Sequence, residues 1–122
     1  MQPEQARAAG LFDAGLTGEL RMPEQTAQRL ASACDALLDG LRRLETADLA
    51  AVHGFPGLPS GIALARGFSA KGAEFADTLT ALQEATLRYK AGYLAAGQLV
   101  SEADAAHRAA LELAADRLDD GA

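Results

Sequence analysis

An all-α fold follows from three observations. Two long stretches repeat apolar residues at intervals of three and four, which places those residues on one helical face. A cluster of turn formers, His53-Gly54-Phe55-Pro56-Gly57-Leu58-Pro59-Ser60-Gly61, separates them. Alanine and leucine are abundant and β-branched residues scarce. That balance favours helix over sheet, because Ala and Leu lose little side-chain freedom in a helix. The expected architecture is an antiparallel hairpin of two long helices, about 23–52 and 61–118, joined by a turn at 53–60. One hairpin domain, 22–120, is preceded by an arm or short helix over 1–21.

The N-terminal segment carries Leu11, Phe12, Leu16 and Leu20 on one helical face, but Gly10, Gly15 and Gly18 interrupt it. Each glycine costs about 1 kcal/mol against alanine in a helix. The segment is therefore expected to fray or to form a short helix docked on the main body. The first long helix starts near Pro23, whose missing N–H is not needed in a first turn. Its seam reads Ala27, Leu30, Cys34, Leu37, Leu41 and Leu44, in the alternating spacing of a coiled-coil face. It should end near Val52, ahead of Gly54 and Pro56.

The second helix restarts with Ser60 as its cap. Its seam reads Phe68, Gly72, Phe75, Leu79, Leu82, Thr86, Tyr89, Tyr93, Ala96, Val100 and Ala103. Beyond Val100 the apolar face moves to His107, Leu111, Ala114 and Leu118, a stutter that follows Gly92 and Gly97. Ser101 to Asp104 has the spacing of a fresh capping box, so the helix is expected to continue, kink or break near 97–101. The hairpin core is assigned to Leu30, Cys34, Leu37, Leu41, Leu44, Phe68, Phe75, Leu79, Leu82, Tyr89 and Tyr93.

Leucines remain outside both seams: Leu38 and Leu49 on the first helix, Leu64, Leu87, Leu94 and Leu99 on the second. Burying each contributes about 1.5–3 kcal/mol, whereas a stripe of them in water is adhesive. A second hairpin docked on these six residues, giving a dimeric four-helix bundle, accounts for them. Homodimer and heterodimer satisfy this physics equally, and the arm 1–21 covering them within a monomer is the alternative.

Charge and chemistry narrow the function. The net charge is −6, and the only adjacent basic pair is Arg42-Arg43, so no phosphate-binding patch for nucleic acid is expected. No apolar run approaches the roughly 18–20 residues of a membrane span. Met1-Gln2-Pro3-Glu4-Gln5 lacks the basic and apolar regions of a secretory signal. Cys34 is the only cysteine and sits among leucines, as a small hydrophobe does. Asp104-x-x-His107 spaces two potential metal ligands one turn apart, but a di-iron bundle needs two such motifs and further carboxylates, and His53 has no matching acid. Nothing resembles a Gly-x-Ser-x-Gly elbow or a phosphate loop. Tyr89 and Tyr93 read as one core layer, and the acidic pairs Glu45/Asp48 and Asp119/Asp120 as solvated surface. No enzyme activity, cofactor or metal is expected.

Phe55-Pro56-Gly57 places an aromatic-x-Gly triplet at the hairpin tip, within Gly54 to Gly61 and ahead of Ala65-Arg66-Gly67-Phe68. With its length, acidic balance and two long helices, the chain over about 23–118 resembles the Trp-x-Gly helical hairpins exported by the type VII (ESX) secretion systems, and its turn segment looks like that of ESX-associated hairpins from actinobacteria. The resemblance implies a homo- or heterodimer, secreted or at the cell surface, acting as a substrate or as the export partner or chaperone of a toxin or effector. A toxin's N-terminal helical domain is one such partner. Two positions depart from the family: Phe55 stands where the family has Trp, and Tyr89 and Tyr93 are followed at the fourth position by Tyr93 and Gly97, not by the acid of the family's export signal. The resemblance thus implies the member without the signal. A cytoplasmic helical adaptor, chaperone or immunity protein that binds an effector is the other expectation.

Overall fold

A computed structural model describes residues 3–51 and 59–120, with side chains described for 3–45, 72 and 74–117. Four helices account for nearly all of these: α1 (Pro3–Thr17), α2 (Glu24–Ala51), α3 (Pro59–Ala96) and α4 (Val100–Asp120). They form an all-α helical bundle. The turn triplet Phe55, Pro56 and Gly57 lies outside the described residues, as do the side chains of Leu49, Leu64 and Phe68.

The expected second helix of 61–118 is two helices. α3 ends in a left-handed residue, Gln98, at φ 64°. The amide of Leu99 bonds the carbonyl of Leu94 at 2.8 Å and that of Gln98 bonds Ala95 at 3.0 Å, the paired closure of a Schellman cap. Leu99 packs against the cluster that holds Leu94, as that cap requires. Gly97 is needed beside it, because a Cβ there would overlap the Ala27 methyl group. α4 then begins directly, with the Leu99 carbonyl accepting from Ala103 at 2.9 Å. Gln98 holds a conformation that costs a residue with a side chain about 1–2 kcal/mol. Gln98→Gly is therefore expected to stabilise the protein by roughly 0.5–1 kcal/mol, net of the extra freedom glycine gains on unfolding. Urea denaturation at unchanged m-value measures this.

The 1–21 segment resolves as a short docked helix. α1 ends at Gly18, whose φ of 81° suits glycine. A short link follows, in which the Met22 amide bonds the last carbonyl of α3, on Ala96, at 3.0 Å.

α3 is the axis on which the other three helices pack. α1 runs parallel to it, with Gln5 beside Ala81 and Gly15 against Ala95 and Ala96. α2 runs antiparallel, with Asp35 bonded to Lys90 and Glu45 to Gln83. α4 folds back along α3 until Arg117 reaches Glu84.

The core is built mostly from alanine. One cluster joins Ala31, Ala91, Leu94, Ala95, Ala103 and Ala106, with Phe12 and Leu99 against it. A second joins Leu38, Leu87 and Ala110, with Ala109 and Leu113 alongside. Small side chains let helix axes approach closely, so three helices fit around one.

Candidate interaction surface

Folding α4 back reverses part of the expected division between inside and outside. Leu38, Leu87 and Leu94, assigned to a partner interface, are buried within the chain, and Leu99 is half-buried against the same core. α4 supplies the apolar surface that a second chain was expected to bring. Cys34, Leu41 and Leu79 are buried as expected, and Leu30, Tyr89 and Tyr93 are half-buried. Four residues assigned to the hairpin core are instead exposed: Leu37 by 54%, Leu44 by 50%, Phe75 by 41% and Leu82 by 45%. The physical reason is a shift of one position. α2 turns Ala31 and Leu38 inward, toward α3 and α4, which rotates Leu37 and Leu44 out of the contact.

These four residues belong to two neighbouring lines. Leu30, Leu37 and Leu44 stand seven residues apart on α2, and Phe75, Leu82 and Tyr89 stand seven apart on α3. Seven residues is close to two helical turns, so each set lies along one side of its helix. On α3, Ala81, Gly92 and Ala95 face α1, and Gln83, Leu87 and Lys90 face α2. At 100° per residue, Phe75, Leu82, Tyr89 and Tyr93 fall between those two contact lines. Among the described residues, α3 thus has neighbours on three sides and an open fourth side.

Among the described residues, that open side carries no charge. Along α3 its positions are Phe75, Thr78, Leu82, Tyr89 and Tyr93, with Thr86 buried among them, and along α2 Leu30, Ala33, Leu37, Gly40 and Leu44. Gly40 has open space where a Cβ would lie, leaving a notch between Leu37 and Leu44. Tyr89 and Tyr93 stack with ring centroids 6.3 Å apart. Burial pushes the Tyr93 hydroxyl above its ordinary range, with Cys34 and Tyr89 adding to the shift. Burial likewise raises the Cys34 thiol, Asp35 adding and Lys90 opposing. The neutral thiol is thus favoured, and a neutral thiol is a poor nucleophile.

Of the groups considered for metal binding, Asp104 and His107 are engaged elsewhere, and His53 lies outside the described residues. Asp104 pairs with Arg108 at 2.9 Å, and His107 stacks on Phe12 with centroids 4.5 Å apart and planes 10° apart. Among the described residues no group of three or more His, Cys, Asp and Glu side chains is placed to hold a metal. No described helix is long and apolar enough to cross a membrane.

One buried polar centre escaped the sequence reading. Glu84 is nearly inaccessible and lies 3.2 Å from Arg88 and 3.0 Å from Arg117. The Arg88 contact is a hydrogen bond. Arg117 is within ion-pair distance of Oε1 without an aligned hydrogen bond. The Glu84/Arg88 spacing of four was visible in the sequence, but helix surfaces carry many such pairs, and only the return of α4 with Arg117 buries this one.

Comparison of the chain with protein-family models, with curated proteins and with solved structures gives no match.

Proposed function

We propose that this chain is a non-catalytic binding module that docks a helical partner on the open side of α2 and α3, and that it works in type VII (ESX) secretion as a substrate or as the export partner or chaperone of a toxin or effector. One observation carries the docking role: Leu37, Leu44, Phe75 and Leu82 stand half in water on a side that carries no charge among the described residues. Lines of apolar residues at seven-residue spacing on adjacent helices form a groove that fits another helix as ridges fit grooves. The partner is a second copy or a different helical hairpin. The secretion role rests on the resemblance carried by Gly54 to Gly61 and Ala65 to Phe68.

The test is Leu37→Glu with Leu82→Glu, both at exposed positions where the fold tolerates charge. Light scattering at micromolar concentration, with capture from the producing cells, should find the wild-type chain associated and the double variant monomeric with an unchanged melting curve. A wild-type chain that is monomeric and captures nothing contradicts the docking role. Export is tested separately. Protein in the culture filtrate that disappears when type VII export is disabled supports the secretion role, and protein confined to the cell supports a cytoplasmic adaptor.

A further inference from the structure

We propose that α1 is a releasable clasp: it lifts off α3 as one unit while α2, α3 and α4 stay together. Its departure would join its seat on α3 to the open side beside it. The inference rests on the docking role proposed above and adds a regulation of that same surface.

α1 is a poor helix in its own right. It holds Gly10 and Gly15 within fifteen residues. A Cβ at Gly10 would meet nothing within 4 Å, so packing returns none of the helical cost of that glycine. A helix of this length is marginal in water without tertiary contacts. Its seat is made of small groups. Gly15 sits so close to α3 that a Cβ would come within 2.7 Å of the Ala96 amide nitrogen, and Gly92 leaves room for Leu11. Ala8 is the other apolar residue of α1 fully enclosed.

Polar ties are equally thin. Gln5 donates to the Ala81 carbonyl at 3.2 Å, while its Oε1 is buried with no partner. A buried acceptor of this kind works against docking. Among the described residues no ion pair joins α1 to α3. α2 and α4, by contrast, are each tied to α3 by one, Asp35–Lys90 and Arg117–Glu84. The stack of Phe12 on His107 adds a contact with α4. Elements with few large buried contacts are the ones that open below the global unfolding threshold.

Native-state hydrogen exchange on the free full-length protein, at low concentration, tests this independently of any partner. The amides of α1 are expected to exchange at least tenfold faster than those of α3 around Leu94. Gly10→Ala, which meets no neighbour, should slow α1 about four- to fivefold. Arg117→Ala, which removes the ion pair between α4 and α3, should speed the α3 and α4 amides and leave those of α1 unchanged. If α1 is as protected as α3, or if Arg117→Ala speeds α1 as much as α3 and α4, α1 opens only with the whole molecule and the proposal is overturned. Either result leaves the docking role standing, because that role is read from association and not from exchange.

Discussion

Replacing Glu84 with alanine is expected to cost about 3–5 kcal/mol of folding stability, the largest loss from any single substitution considered. The cost does not come from a lost attraction alone. Glu84 lies in the core side of α3 with its side chain 3% exposed, and Arg88 beside it is 12% exposed. Without the carboxylate, Arg88 keeps a charge in a site of low dielectric with its ion-pair partner gone. Arg117, on the rim, is 31% exposed and can turn to water. Arg117→Ala should therefore cost much less, because Glu84 retains Arg88. Glu84→Gln should fall between, keeping an acceptor for Arg88 while losing the charge. Urea denaturation of the three variants checks the order. Equal losses for Glu84→Ala and Arg117→Ala would mean that the pair across α3 and α4, and not burial, sets the energetics.

Leu94→Ala is expected to cost about 2–5 kcal/mol, toward the upper end of that range. Leu94 is the largest fully enclosed side chain described. Its neighbours Ala31, Ala91, Ala95, Ala103 and Ala106 are methyl groups fixed by their helices, so they cannot move into the space left behind. Leu94 also meets Leu99 across the cap that turns α3 into α4, and its loss loosens that turn. Leu37→Ala, at an exposed position, should stay within about 0.5 kcal/mol when measured at low protein concentration. The contrast between the two leucines tests which flank of each helix faces inward.

That choice of flank is where the sequence was least legible. The helices themselves were readable: alanine, leucine and the spacing of apolar residues place them, and Pro23 and the glycine–proline cluster at 54–61 bound them. The stutter after Val100, with Gly97 ahead of it, pointed to the break that Gln98 and Leu99 make. But α2 carries leucines on two flanks, Leu30, Leu37 and Leu44 on one and Leu38 and Leu41 on the other. α3 does the same with Phe75 and Leu82 against Leu87 and Leu94. Periodicity alone favours the longer seam. The deciding event is the return of α4, a long-range contact that brings Ala103, Ala106 and Ala110 onto the second flank.

Alanine hid that contact. An alanine adds little to an apolar stripe, yet here Ala27, Ala91 and Ala96 are fully buried and set how closely the helices approach. The surplus of leucine that argued for a partner was real in number. Leu38, Leu87, Leu94 and Leu99 are consumed within the chain, the side chains of Leu49 and Leu64 lie outside those described, and the exposed apolar residues of the open side are instead Leu37, Leu44, Phe75 and Leu82, which were assigned to the core.

Hydroxyl-radical footprinting of those four side chains tests the central claim most directly. It should be done on the isolated protein at nanomolar concentration and again on the protein within the cells that make it. The docking role predicts ready labelling of Leu37, Leu44, Phe75 and Leu82 in the first state and their protection in the second, while the exposed Val100 and Leu111 label equally in both. Equal labelling of all six residues in the two states would contradict it.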